Sequence, residues 1–357
     1  MRIQQYLNQH LPVFLTWPGV ARNLGLDASR IETVRETPLG IMVTLRIAPP
    51  LSAVRIGMVA DLLSVAYSVA RVRVLEDPLA ADRVILYFDT VISIEPTELP
   101  VHSRSVLVPL PAGHPIPIGL DDDGEEISIG VIGQGALVGG IPGSGKSNAL
   151  RVLLAGLANQ RDVALFGIDP KQAELVMWQP RLSGLVLGHD PIETIALLEF
   201  LLTEIQRRAL YLSTTGRATL KPSREYPAVV LIIDEWAEVA AVGTKQERQQ
   251  VETLLRRYVS LGRAVGCSGI FATLRPTAET TDVTTRSLLA HRFALRCGDR
   301  HQADAILGVG TYEQRQLVGL APGRALWSDG GPARAVQFYE VNDGAVPELV
   351  MAGYRPF

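Results

Sequence analysis

The chain has 357 residues, a net charge of −3 and 47% hydrophobic residues. That length exceeds one ordinary core and points to two domains, while the mild negative charge excludes a polybasic nucleic-acid binder and leaves any polyanion site to a local basic face. The two cysteines, Cys267 and Cys297, have neither metal-ligand nor disulfide-framework spacing, and no apolar run reaches the roughly eighteen residues of a bilayer span; a cytoplasmic chain without a transmembrane segment and with small core thiols is expected.

In chain order, Gly40–Ile47 alternates like a half-buried strand and stops at Pro49-Pro50. Val54–Val69 has helical character, and two strand-like runs follow, Arg71–Leu75 and Arg83–Phe88. Residues 31–93 therefore read as a small α+β module. The proline-rich stretch Val108–Pro117 reads as a connector, which sets domains of 1–105 and 106–357. Asp121-Asp122-Asp123-Gly124 suits a hairpin turn better than a metal site, because three adjacent aspartates point in different directions.

Gly135–Gly139 reads as the end of a buried strand and Asn148–Leu154 as the start of a helix. Between them, Gly140-Ile141-Pro142-Gly143-Ser144-Gly145-Lys146-Ser147 fits the phosphate-binding loop pattern at each fixed position. Glycines let the backbone curl until successive N–H groups face phosphate oxygens, and the positive helix end adds a favourable field. Lys146 is expected to reach the β- and γ-phosphates of ATP and Ser147 to ligate Mg²⁺, with Gly140 to Ser147 and Asn148 forming the nucleotide-binding set.

Val163–Ile168 is the next strand, followed by a long helix over Ile192–Leu212 and a loop, Thr214–Pro227, carrying Arg217, Lys221 and Arg224. Val229–Ile233 is continuous and apolar, as a parallel strand covered on both faces requires, and it ends in Asp234-Glu235. Carboxylates at the carboxyl end of such a strand lie beside the phosphate loop, so Asp234 is expected to hold Mg²⁺ through its water shell and Glu235 to polarise the attacking water. An amphipathic helix over Lys245–Val265 and a strand over Ser268–Thr273 complete the alternation, which is that of a nucleotide-binding α/β core. His291 and His301 read as surface or interface residues.

The order Gly140–Ser147, then Ile168-Asp169-Pro170-Lys171 with Glu174-Leu175, then Leu231–Glu235, then Ala272-Thr273-Leu274-Arg275-Pro276 resembles the FtsK/SpoIIIE family of DNA-pumping ATPases, including the transfer proteins of actinobacterial conjugative elements. The resemblance spans residues 31–330 and is strongest from 117 onward. It implies an α/β fold, a RecA-like phosphate-loop ATPase core with a mainly parallel sheet beside the small amino-terminal α+β domain. It also implies ATP and Mg²⁺, a homo-hexameric ring, and double-stranded DNA as the track in conjugative transfer or chromosome partitioning. Each active site of such a ring is completed by an arginine of the next subunit, a role for which Arg292 and Arg300 rank above Arg296. The family's usual Gln, a sensor of the γ-phosphate, is replaced by Leu274, with Thr273 a partial substitute. A chain without the family's membrane-spanning region, and with the residues after Trp327 too few for its DNA-reading domain, is expected; anchoring, by a membrane-anchored partner, and sequence reading are then expected from elsewhere or not at all. Two other readings stand beside the DNA motor: a protein-moving ring related to the type VII secretion motors, and a nucleotide-gated regulatory ATPase.

Overall fold

The computed structural model describes residues 16–37, 39–77, 79–90, 110–277, 283–312 and 320–352. The chain forms two compact units, Met1–Glu95 with Asp122–Glu125 and Pro96–Asp121 with Glu126–Phe357. The domain boundary expected at 105 lies outside the described residues.

In the first unit, β1 (Ser29–Thr37), β2 (Gly40–Ile47), β3 (Arg71–Glu76) and β4 (Arg83–Asp89) form an antiparallel sheet of order β1-β2-β4-β3. The expected helix over Val54–Val69 is two short ones, Ala53–Gly57 and Ala60–Tyr67. Ile56 and Leu63 face inward from them and pack with Val43, Leu45, Leu86 and Phe88 of the sheet, all fully or almost fully buried. The carboxylate of Asp89, also buried, accepts hydrogen bonds from Arg71 Nε at 2.6 Å and Arg73 Nε at 2.7 Å.

The second unit is built on a ten-stranded sheet of order β6-β5-β14-β13-β12-β7-β11-β10-β8-β9, where β5 is Ile116–Leu120, β6 Glu126–Ile129, β7 Ala136–Gly139, β8 Val163–Asp169, β9 Gly184–Leu187, β10 Ala228–Ile233, β11 Cys267–Thr273, β12 His291–Ala294, β13 Arg324–Ser328 and β14 Arg334–Phe338. From β12 to β9 the neighbours run parallel; from β12 to β6 they run antiparallel. The antiparallel β5–β6 pair bears out the hairpin expected at Asp121–Gly124, with Gly124 at φ +79° in its turn. Every residue of β10 is buried because each of its faces meets helices. Ala228, Val230 and Ile232 join the core under the Lys146–Ala158 helix, whereas Val229, Leu231 and Ile233 join the core under the Pro191–Thr215 and Lys245–Gly262 helices. Strand alternation thus feeds two cores from one run of apolar side chains.

The long helices carry their own stop and start signals. Asp190 caps Pro191–Thr215 by accepting the N–H groups of Ile192 and Glu193, and Gly216 closes that helix in the left-handed conformation. Thr244 and Glu247 form a reciprocal capping box that opens Lys245–Gly262. With six adjacent strands parallel, the carboxyl ends of β7, β8, β10, β11 and β12 all face one edge of the sheet, the edge where ligands bind in folds of this class.

Candidate active site

At that edge β7 runs directly into Gly140–Ser147 and then into the Lys146–Ala158 helix. Gly143 and Gly145 take φ of +73° and +96°, and a Cβ on Gly145 would lie 2.4 Å from the main-chain nitrogen of Gly323. Only glycine meets both demands. No side chain caps the helix start, and the first-turn N–H groups of an α-helix have no acceptor within it. An uncapped helix end behind a curled glycine loop fits a phosphate group.

Lys146 and Asp234 are both buried and paired: Nζ lies 2.6 Å from Asp234 Oδ1 and 2.5 Å from the Asp234 carbonyl oxygen. A bound polyphosphate would compete for this ammonium. Ser147, in the first helical turn, and the Asp234 carboxylate supply the hard oxygen donors that Mg²⁺ takes alongside phosphate oxygens, so the donor set fits Mg²⁺–ATP. Asn148 directs its side chain elsewhere. Its Nδ2 donates to the Tyr339 carbonyl at 2.7 Å and its Oδ1 accepts from the Val341 N–H at 2.8 Å, which ties the helix to the chain leaving β14.

Glu235, at 2% exposure, is held on every side. Oε1 accepts from Thr273 Oγ1 at 2.8 Å and from the Leu274 N–H at 3.0 Å. Oε2 accepts from the same N–H at 3.0 Å and from Lys171 Nζ at 3.2 Å. Thr273 reaches it because β11 lies beside β10 in parallel register. Lys171 reaches it because Asp169 Oδ2 accepts the N–H groups of Ala173 and Leu175, folding the Asp-Pro-Lys segment into a tight loop with Gln172 at φ +54°. Burial alone would lower the Lys171 pKa, but the charge and hydrogen bond of Glu235, with Glu238 adding, leave it above the usual lysine range. The Asp-Pro-Lys run, a mark of the family resemblance in the sequence, delivers a cation to Glu235, a role its sequence pattern does not announce. The nearest signal is the Asp-Pro pair at a strand end, which forces a turn immediately before the lysine.

The three arginines separate by environment. Arg296 follows β12 onto the phosphate loop of its own chain: its carbonyl accepts the Ile141 N–H at 2.9 Å and its Nη2 donates to the Gly143 carbonyl at 3.2 Å. Arg292 is half-buried, and burial together with Arg286 lowers its pKa against the opposing charge of Asp329. Arg300 opens the Arg300–Leu307 helix and lies 3.5 Å from Asp304. His291 corrects an expectation. It is buried rather than a surface residue, with Nε2 2.9 Å from the Gly130 carbonyl and Nδ1 3.4 Å from Trp327 Nε1. Burial lowers its pKa against the Gly130 bond and Asp329.

The loop before β10 lies at the opposite end of that strand from the candidate site. Arg217, Lys221 and Arg224 are exposed, but they precede the amino end of β10 whereas Asp234-Glu235 follow its carboxyl end. A six-residue strand at about 3.3 Å per residue separates the two by roughly 20 Å. Arg217 lies over Tyr211 at 5.9 Å, Tyr211 stacks on Tyr226 at 4.8 Å, and Arg207 covers Tyr226 at 4.7 Å, so a cation and aromatic ladder braces this edge.

Residues 114–226 match the FtsK/SpoIIIE family model. The DNA translocase FtsK of Corynebacterium glutamicum is 26% identical over 260 residues, covering 66% of this chain and 28% of that one. Protein Tra of Streptomyces lividans is 28% identical over 218 residues, covering 56% of this chain and 34% of that one. The chain thus spans about a third or less of these relatives. Among solved structures, the monomer form of the pCW3 conjugation coupling protein TcpA with ATPγS superposes with a TM-score of 0.65, covering 95% of this chain and 98% of that one at 17% identity, a likeness of fold. The core is a RecA-like, ATP-binding phosphate-loop fold, and among the described residues no helix is long and apolar enough to cross a membrane. Sequence match and fold agree: residues 114–226 match the FtsK/SpoIIIE family model, and the chain is similar over a longer stretch to the relatives named for that family.

Proposed function

We propose that this chain is an ATP-hydrolysing ring motor that binds and translocates double-stranded DNA in conjugative plasmid or integrative-element transfer. The observation that carries the reading is the meeting of Lys146, Asp234 and Glu235 at one edge of the sheet, with Thr273 and Leu274 from the adjacent strand end on Glu235. Lys146 would bind the β- and γ-phosphates, and Ser147 with Asp234 would hold Mg²⁺, whose charge offsets that of the phosphates. Glu235 would orient and polarise the attacking water. With its oxygens occupied by Thr273, Leu274 and Lys171, it must shed at least one donor to accept a water proton, and the half-exposed Lys171 is the partner freest to leave because Glu238, 3.4 Å away, can receive it. That exchange gives nucleotide binding a means of arming the base.

The relatives named for DNA translocation, the relative Protein Tra and the fold shared with a conjugation coupling protein support DNA as the track. In a homo-hexamer Arg292 or Arg300 would enter the neighbouring site, and a membrane-anchored partner would recruit the ring from the cytoplasm. The exposed Arg217, Lys221 and Arg224 would meet DNA phosphates without reading bases. Measuring ATP turnover with and without duplex DNA tests the reading. Several-fold stimulation is expected. Turnover indifferent to duplex DNA but raised by an unfolded polypeptide would move the assignment to a protein-translocating ring, and no turnover under either condition would move it to a regulatory nucleotide binder.

A further inference from the structure

Arg296 touches the phosphate loop at two places. Its carbonyl fixes Ile141 near the start of the loop, and its guanidinium reaches the Gly143 carbonyl at the loop's crest, so both ends of this residue follow the loop's shape. The approach is tight. A Cβ on Gly140 would lie 2.9 Å from Leu295 Cβ and 3.2 Å from the Arg296 carbonyl oxygen, and a Cβ on Gly143 would lie 3.7 Å from Arg296 Nη2. Arg296 Nε is buried and has no hydrogen-bond acceptor among the described residues. A guanidinium carries five N–H donors in a planar fork suited to phosphate oxygens. Here that fork rests on a loop whose neighbouring Ser144 Oγ is likewise buried and without a partner among the described residues. An oxyanion seated in the loop would satisfy such donors.

We propose that Arg296 is a cis-acting phosphate-contacting residue: it braces the phosphate loop of its own chain and donates to the polyphosphate of the nucleotide bound there. This separates its role from that of Arg292 or Arg300, which would serve a neighbour's site. The inference rests on the assignment of Gly140–Ser147 as an ATP site and adds a residue from the end of β12 to it.

The test is the affinity of the full-length chain for a fluorescent N-methylanthraniloyl ATP, measured by titration at dilutions where sedimentation shows a monomer. Arg296→Ala is expected to lose about tenfold in affinity there, Arg296→Lys to recover part of it, and Arg292→Ala and Arg300→Ala to bind as the unaltered chain does. The melting temperature of Arg296→Ala without nucleotide is expected to stay within a few degrees of the unaltered chain. Unchanged affinity of the Arg296→Ala monomer would overturn the proposal, as would a loss confined to the oligomer, since that marks an arginine acting across a boundary. A large fall in melting temperature that Arg296→Lys repairs without repairing affinity would reduce Arg296 to a brace and overturn the phosphate contact. Failure of the unaltered chain to bind the probe would instead overturn the assignment of the loop itself.

Discussion

The main-chain N–H of Leu274 lies 3.0 Å from both carboxylate oxygens of Glu235. A backbone donor does not depend on the side chain it carries, so this position keeps its hold on the proposed base although the family's glutamine is absent. The hydroxyl of Thr273, 2.8 Å from Glu235, is the side-chain donor that matters here.

Leu274→Gln is therefore expected to change ATP turnover only a few-fold. Thr273→Val removes a hydrogen bond to a charged group, about 1.5–3 kcal/mol, and should slow turnover by roughly ten- to a hundredfold where that bond positions Glu235 for catalysis. Steady-state kcat for the two variants checks this, and the opposite order of severity would contradict it.

The Lys146–Asp234 pair is buried on both sides, so removing one partner leaves a charge without its counter-ion. Lys146→Ala should lose nucleotide binding and also about 3–5 kcal/mol of stability, the usual cost of breaking a buried pair. Removing both, as Lys146→Ala with Asp234→Ala, should restore part of that stability in denaturant unfolding. Additive losses would show that the two side chains do not interact.

His291 accepts from Trp327 Nε1–H through Nδ1 and donates Nε2–H to Gly130, an arrangement that only the neutral ring satisfies. A proton on Nδ1 would set two donors against each other. Because the folded-state pKa is lowered, below the ordinary histidine value of about 6.5 the unfolded chain binds a proton that the folded chain resists. Stability should therefore fall as pH drops through that value. Between about pH 7.5 and 5.5 the melting temperature of the unaltered chain should fall more than that of His291→Gln; equal falls would remove this role.

The phosphate loop and the Asp234-Glu235 strand end were legible in the sequence because both are local: a glycine pattern between strand and helix, and an apolar run with its terminal acids. The second unit's mainly parallel sheet followed from alternating strands and helices. What sequence could not convey was adjacency across the sheet. Arg296 meets the loop only because β12 lies beside β7, and Lys171 meets Glu235 only because β8 lies beside β10. The loop Thr214–Pro227 precedes the Asp234-Glu235 strand in sequence, and the length of β10 separates its basic residues from Glu235. His291 reads as a surface or interface residue because a histidine in a short strand gives no sign that a carbonyl and an indole await it. The break at Met58–Val59 between two helices left no mark in a continuous helical pattern.

The exposed Arg217, Lys221 and Arg224 lie far from the nucleotide, so replacing all three by Ala should leave ATP turnover without DNA unchanged. It should weaken duplex binding and reduce the slope of log affinity against log salt by about 0.9 for each phosphate that these cations neutralise. An unchanged slope would put the DNA-binding face elsewhere.

Movement of duplex DNA by hydrolysis at the Lys146–Glu235 site is the proposed output of this chain. Its most direct measurement is displacement of a third strand from a triplex-bearing duplex, followed with ATP for the unaltered chain and for Glu235→Gln. ATP-dependent displacement is expected of the unaltered chain and none of Glu235→Gln, which should still bind ATP. Displacement by Glu235→Gln at the normal rate, or ATP hydrolysis by the unaltered chain on that duplex without displacement, would contradict it.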